Sequence, residues 1–124
     1  MKEKRDMSKI LVVDDAAFMR MRCTKLLQDN GYDTVEAGNG IEAVQKYQQY
    51  KPDGVLMDIT MPDMDGIETL KKLMEIDPTV RVSMVTAMGQ QSLVIEALKS
   101  GAKDFVVKPF NADRVLAAVK KITA

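Results

Sequence analysis

The feature that most constrains the fold of this chain is a regular alternation between short apolar runs and longer amphipathic stretches. Short apolar runs bounded by turn-forming residues are typical of strands that are covered on both faces of a sheet. The runs are residues 10–13, 34–37, 55–57, 80–85 and 105–107. The run at 34–37 is the weakest, which favours a position nearer the edge of the sheet.

The stretches between these runs carry apolar residues at helical spacing. In the first stretch, Met19, Cys23, Leu26 and Leu27 follow the i, i+4, i+7, i+8 pattern of one helix face. The last helix is predicted to begin after an Asn111 cap, and the others to end near Gly31, Pro52, Asp77-Pro78 and Gly101. Such strand–helix units predict an α/β fold, a doubly wound five-stranded parallel sheet with helices on both faces. We expect one domain over residues 8–124, behind a flexible segment at residues 1–7.

Composition and charge argue against several classes of protein. Lys plus Arg and Asp plus Glu are each 18, so the formal net charge is zero and no basic stripe indicates a nucleic-acid partner. No apolar stretch is long enough to span a bilayer, and the charged N-terminus shows no secretory signal. The single cysteine, Cys23, suits a reducing compartment, so we expect a cytoplasmic protein without membrane contacts. Because the chain lacks histidine, a bound metal should be a hard cation held by oxygen atoms.

Polar side chains follow the predicted strands, at the edge where parallel sheets place their sites. They are Asp14-Asp15, Asp58, Thr86 and Lys108. Neighbouring carboxylates repel each other, and a cation such as Mg²⁺ relieves that repulsion. Lys108 and Thr86 suit phosphate oxygens, and a carboxylate such as Asp58 can act as a nucleophile toward phosphorus. Each position alone could be a helix cap or a turn former, but the joint pattern favours a phosphate site.

Four segments carry a resemblance to a known family. They are residues 10–15 (ILVVDD), residues 55–62 (VLMDITMP) with Asp65-Gly66, residues 85–87 (VTA) and residues 101–110 (GAKDFVVKPF). Over about residues 8–123 the chain resembles the response-regulator receiver family, and within it the single-domain members that serve chemotaxis. The resemblance implies the strand order 2-1-3-4-5, which is taken from the family and does not follow from the sequence pattern.

The resemblance also implies a role for each site residue. Asp58 would be the phosphorylated residue, and Asp15, Asp58 and the backbone carbonyl of Thr60 would bind Mg²⁺ directly. Asp14 would orient the metal shell through water. The phosphoryl oxygens would be bound by Thr86 and Lys108, and the Lys108-Pro109 peptide bond would be cis.

A second set of positions would transmit and time the signal. Phe105 would be the aromatic switch residue that moves with Thr86, and Val94 would join it on a partner-binding surface. Thr60 and Met88 stand where better-known chemotaxis relatives carry an amide and an acidic residue. They should therefore tune the rate at which the phosphate is lost.

Together these expectations describe a monomeric signalling switch. A histidine kinase would donate the phosphoryl group, and a flagellar motor switch protein or another phospho-dependent target would bind the result. A phosphatase is a further possible partner, and a phosphorelay or phosphate-sink role stays open. The chain should not be an enzyme with a separate substrate, although it should catalyse its own phosphorylation and dephosphorylation.

Three other classes fit the sequence less well. A phosphohydrolase would need a general acid where Thr60 stands, and a nucleotide- or flavin-binding module would need a phosphate-cradling loop where Asp14 and Asp15 stand. A receiver fold used only for docking would have no need of the full set of site residues.

Overall fold

The computed structural model describes residues 8–61, 64–109 and 111–124. In this part of the chain strands and helices alternate strictly. The strands are β1 (Lys9–Val13), β2 (Asp33–Ala37), β3 (Gly54–Asp58), β4 (Val82–Ala87) and β5 (Asp104–Lys108). The helices are α1 (Ala17–Asp29), α2 (Gly40–Tyr50), α3 (Gly66–Ile76), α4 (Gln91–Lys99) and α5 (Ala112–Thr123). The predicted flexible segment at residues 1–7, and Pro62 and Phe110 of the motifs, lie outside the described residues.

The strands form one parallel sheet in the order β2-β1-β3-β4-β5, which confirms the predicted fold class and strand order. Side chains of α1 and α5, such as Leu27 and Val119, pack on one face. Side chains of α2, α3 and α4, such as Ala43, Leu70 and Ala97, pack on the other. All five residues of the central strand β3 are buried, because both of its faces are covered.

Strand β2 lies at one edge of the sheet, as its weaker apolar pattern indicated. The predicted start of the fourth strand was wrong, because β4 begins at Val82. Val80 belongs instead to the turn after α3, where its N–H donates to the Asp77 carbonyl at 3.0 Å. At its other end β4 runs on through Thr86 and Ala87, which are in register with Val107 and Lys108 of β5.

The helix ends follow the local chemistry that the sequence indicated. Gly31 has φ +89 directly after the cap of α1, a conformation that glycine adopts without a Cβ penalty. The side chain of Asn111 accepts a hydrogen bond from the Arg114 N–H at the start of α5. Cys23 is buried on the inner face of α1, and burial raises the pKa of its thiol to about 11. None of the helices in the described part of the chain combines the length and apolar character that a bilayer crossing needs.

Candidate functional site

The carboxyl-terminal ends of β1, β3 and β5 bring four charged side chains together. Carboxylate oxygens of Asp14, Asp15 and Asp58 all lie within 4.8 Å of one another. The Lys108 Nζ lies 3.4 Å from Asp14 Oδ2 and 3.5 Å from Asp58 Oδ2. The Lys108-Pro109 bond is cis, as predicted. The residues that the sequence placed at separate strand ends therefore form one acidic cluster with a lysine across it.

Two carboxylates of the acidic cluster are buried. Asp14 and Asp58 are 6% and 8% exposed, while Asp15 faces solvent. Asp14 is held from two sides: its Oδ1 accepts from the Ala16 N–H at 2.9 Å, and Arg20 donates to its backbone carbonyl at 2.6 Å. Arg20, which the sequence pattern did not indicate, therefore fixes the backbone of Asp14.

Burial sets the electrostatics of the cluster. Loss of solvent raises the pKa of Asp58 to about 6, with the charge of Lys108 opposing the shift and Asp14 adding to it. Burial by itself would lower the pKa of Lys108, but the carboxylates of Asp58 and Asp14 outweigh it and the pKa is raised. Lys108 thus stays protonated, while the negative charge on Asp58 is only partly compensated by the protein.

The residues present fit a hard divalent cation. Three carboxylates that share one small volume, with one of them holding a raised pKa, have an unmet need for positive charge. Their oxygen donors are the type that Mg²⁺ prefers, and Mg²⁺ keeps several waters, so few protein ligands suffice. Asp14, Asp15 and Asp58 would hold it; the part assigned to the Thr60 carbonyl stays a prediction.

Gly66 contributes to the site in a way that the sequence pattern did not indicate. A Cβ atom at this position would collide with the Asp58 carbonyl and lie 2.7 Å from the Ile59 Cα. Its N–H donates to the Ile59 carbonyl at 2.7 Å. Only a glycine lets the start of α3 approach the end of β3 this closely, so Gly66 helps to fix the backbone that carries Asp58.

Thr86 is buried beside the cluster but does not bond to it. Within the described residues its hydroxyl donates to the Gln90 side-chain oxygen at 2.8 Å and approaches the Ala87 carbonyl at 3.2 Å. The Gln90 side-chain nitrogen donates to the Thr60 hydroxyl at 3.1 Å. Met88 is 77% exposed. The sequence pattern gave no sign of Gln90.

Phe105 and Val94 border a cleft between α4 and β5. The cleft has a volume of about 350 Å³ and is almost entirely apolar. Val94 is buried in its floor, so the structure does not offer it as an exposed contact residue. Ile95 and Leu98 are the exposed apolar side chains on its α4 side, and the sequence pattern did not indicate them as contact residues.

A parallel (βα)5 sheet with an acidic cluster, a lysine and a buried threonine at its carboxyl edge has the groups that a phosphoryl-accepting site needs. The model of the response regulator receiver domain family matches residues 10–120. The chain belongs to that family.

Similar proteins agree with this assignment. The chain is 59% identical over 114 residues to the chemotaxis protein CheY of Bacillus subtilis (strain 168), covering 91% of this chain and 95% of that protein. It is 53% identical over 116 residues to the chemotaxis protein CheY of Thermotoga maritima, covering 93% and 97%. A crystal structure of a CheX–CheY–BeF3–Mg²⁺ complex from Borrelia burgdorferi matches all of this chain and 96% of the solved one. Its TM-score is 0.91 at 37% identity.

Proposed function

We propose that this chain is a single-domain chemotaxis response regulator that accepts a phosphoryl group on Asp58 in a Mg²⁺-dependent reaction. The observation that carries the proposal is the buried Asp58 carboxylate, with a raised pKa, beside Lys108 and two further carboxylates. The relatives named CheY, and the solved complex that contains BeF3 and Mg²⁺, support the chemotaxis role and the metal.

The arrangement suits transfer of a phosphoryl group from a phosphohistidine. An Asp58 oxygen forms a bond to phosphorus as the bond from phosphorus to the imidazole nitrogen breaks, and that nitrogen keeps the electron pair. The Lys108 ammonium stabilises the negative charge of the phosphoryl oxygens. Bound Mg²⁺ would supply the remaining positive charge that the cluster lacks. Asp58 reacts in its ionised form, which predominates above a pKa of about 6.

We propose that the phosphorylated form acts by changing a binding surface. Thr86 moves to bond the phosphoryl group, Phe105 turns into the space that it leaves, and the cleft beside α4 changes shape. This mechanism needs a difference in interaction between two states, and the new Thr86 hydrogen bond supplies it.

The proposed partners follow from this chemistry. A histidine kinase donates the phosphoryl group, and a flagellar motor switch protein or another phospho-dependent target binds the product. A phosphatase shortens the signal, and the protein acts as a cytoplasmic monomer. The chain is not an enzyme with a separate substrate; it catalyses only its own phosphorylation by small donors and its own dephosphorylation. Thr60, in place of a general acid, weakens the case for a phosphohydrolase.

Phosphorylation by a small donor tests the proposal. We expect incubation with acetyl phosphate and Mg²⁺ to add the mass of a single phosphate, located on Asp58 by fragmentation. Chelation of the metal with EDTA should abolish the adduct, and Ca²⁺ should not replace Mg²⁺ fully because it prefers longer bonds and more ligands. An adduct that forms equally well without metal, or on another residue, would overturn the proposal.

The chemotaxis role has a separate test. The phosphorylated protein, but not the unphosphorylated protein, should bind a purified flagellar motor switch protein from the same cells. Equal binding of both forms, or binding of neither, would contradict the motor role and leave the phosphorelay and phosphate-sink roles in its place.

A further inference from the structure

Gln90 forms a side-chain bridge between two strand ends. It precedes α4, and its amide oxygen accepts from the Thr86 hydroxyl at 2.8 Å and from the Ala87 N–H at 3.1 Å. Its amide nitrogen donates to the Thr60 hydroxyl at 3.1 Å. Thr60 follows the end of β3 and Thr86 lies at the end of β4. The Gln90 amide thus connects Thr60, which lies near the proposed phosphoacceptor Asp58, to Thr86, which must move when Asp58 is phosphorylated.

The hydrogen bonds fix which way the amide points. A backbone N–H can only donate, so the atom of Gln90 that faces Ala87 must be the oxygen. That oxygen has no proton to give, so the Thr86 hydroxyl must donate to it. The nitrogen then necessarily faces Thr60, whose hydroxyl oxygen accepts.

The single proton of the Thr86 hydroxyl makes two states mutually exclusive. The hydroxyl can donate either to Gln90 or to a phosphoryl oxygen on Asp58, and not to both at once. We propose that Gln90 is a positioning residue that holds Thr86 in its unphosphorylated position, and that phosphorylation must break this bond. The inference rests on the proposed function, in which Thr86 binds the phosphoryl group.

The same bridge links the site to the cleft. Gln90 and Thr86 both line the cleft between α4 and β5, together with Phe105. When Thr86 leaves Gln90, the Gln90 side chain keeps its hydrogen bonds with Ala87 and Thr60 and loses the one with Thr86. Release of Thr86 therefore loosens α4 beside the cleft, where the proposed target binds. The free energy needed to break the bond opposes switching, and a ligand of the switched state must supply it.

Gln90→Met tests the inference, because methionine has a similar length and lacks the amide. Beryllofluoride with Mg²⁺ serves as the phosphoryl mimic. Removal of one net hydrogen bond from the unswitched state should tighten beryllofluoride binding roughly three- to ten-fold. In the free variant, the amide resonances of Thr86 and Phe105 should move part of the way toward their positions in beryllofluoride-bound wild-type protein. The matched control is Gln49→Met, at an exposed position of α2 away from the cleft, which should leave both measurements unchanged.

A double-variant cycle separates positioning from a merely structural role. In a Thr86→Val background there is no hydroxyl to hold, so Gln90→Met should no longer change the affinity for beryllofluoride. Thr60→Val removes only the acceptor of the second hydrogen bond and should tighten binding less than Gln90→Met does. If Gln90→Met changes affinity equally with and without the Thr86 hydroxyl, Gln90 only supports the fold, and the inference fails.

Failure of the inference differs from failure of the proposed function. If wild-type protein binds neither phosphate nor beryllofluoride, the proposed function itself is overturned. If wild-type protein binds beryllofluoride and Gln90→Met binds it no more tightly, with Thr86 resonances unmoved, only the role of Gln90 is overturned. Unchanged affinity with a longer phosphoryl lifetime in Gln90→Met would also overturn it, and would assign Gln90 to the water that attacks the phosphate.

Discussion

Two aspartates, one at the carboxyl ends of the strands and one near their amino ends, have opposite electrostatic environments. Asp58, at the carboxyl edge, has one side-chain partner within the described residues, Lys108 at 3.5 Å, and burial raises its pKa to about 6. Asp77, after α3 at the other edge, accepts from the Thr79 hydroxyl and N–H at 2.6 and 2.9 Å and from the Tyr47 hydroxyl at 2.6 Å. Led by the Thr79 hydroxyl, these donors lower the pKa of Asp77.

The difference shows what each edge contributes. The charge of Asp77 is satisfied by the protein, so this carboxylate stabilises the fold. The charge of Asp58 is left short of partners, which costs stability and leaves the group ready for a cation and a phosphoryl group. A strongly perturbed carboxylate in a cleft of other ionisable groups is typical of a functional site. Substitutions at the two edges should therefore have opposite consequences.

The largest expected effect is on phosphorylation. Asp58→Asn should abolish the phosphate adduct, because the amide is not a nucleophile toward phosphorus. Asp77→Asn should phosphorylate at the wild-type rate while it lowers the melting temperature. Mass spectrometry after treatment with acetyl phosphate, combined with thermal denaturation of both variants, measures the two effects. Loss of phosphorylation in Asp77→Asn would contradict the claim that Asp58 serves the reaction while Asp77 serves only stability.

The next effect is on the lifetime of the phosphorylated protein. Thr60 offers one short hydroxyl and the exposed Met88 only a weak thioether acceptor for an attacking water. The double variant Thr60→Asn with Met88→Glu should therefore lose phosphate roughly ten-fold faster, as an orienting hydrogen bond of about 1–2 kcal/mol predicts. Decay of the phosphorylated protein, followed after the donor is removed, measures this rate. An unchanged or longer lifetime would show that water positioning does not limit the reaction.

Much of the fold and of the site at the carboxyl edge was predictable from sequence. The period of the apolar residues predicts how strands and helices alternate along the chain. The rule that sites form at the carboxyl ends of parallel strands predicts that Asp14, Asp15, Asp58 and Lys108 lie together. Cap chemistry at Gly31 placed the end of α1 correctly.

What sequence could not give depends on side-chain packing between distant residues. The bridge from Gln90 to Thr60 joins positions whose contact leaves no periodic signal. Apolar residues occur on both faces of α4, so the pattern could not show that Val94 is buried while Ile95 and Leu98 are exposed. The raised pKa of Asp58 depends on how completely its neighbours exclude water, which only the packed structure shows.

A smaller effect should appear in the free energy of unfolding of the metal-free protein. Because the folded pKa of Asp58 is raised from 3.8 to about 6, its stability contribution is full below pH 4 and is lost as the pH rises through about 6. Asp58→Asn should therefore raise the free energy of unfolding at pH 8 by about 1 kcal/mol, after allowance for solvent screening. Urea denaturation at pH 8 and at pH 4 measures the difference, which should vanish at pH 4 and narrow when Mg²⁺ is added. A destabilised variant at pH 8 would contradict the account.

The smallest effect concerns the other edge. Tyr47→Phe removes a donor to Asp77 and should lower the urea concentration at the midpoint of unfolding at pH 7 by a small amount. The pKa of Asp77 is lowered, so this contribution is present at neutral pH and is lost as the pH falls through that lowered value. Urea denaturation of Tyr47→Phe beside Tyr50→Phe, a control at an exposed tyrosine, checks the prediction. Equal stability of the two variants would show that the Tyr47 hydroxyl contributes nothing.

One titration tests the contrast most directly. Carbon-13 resonances of the side-chain carboxyl groups, followed against pH in metal-free protein, report each aspartate separately. We expect the pKa of Asp58 to be about 6, and that of Asp77 to lie below the ordinary value for an aspartate. Added Mg²⁺ should lower the apparent pKa of Asp58 and leave Asp77 unmoved. An Asp58 that titrates at or below the ordinary value of about 3.9 without metal would contradict the central claim. That claim is that the protein leaves the charge of Asp58 short of partners, ready for a cation and a phosphoryl group.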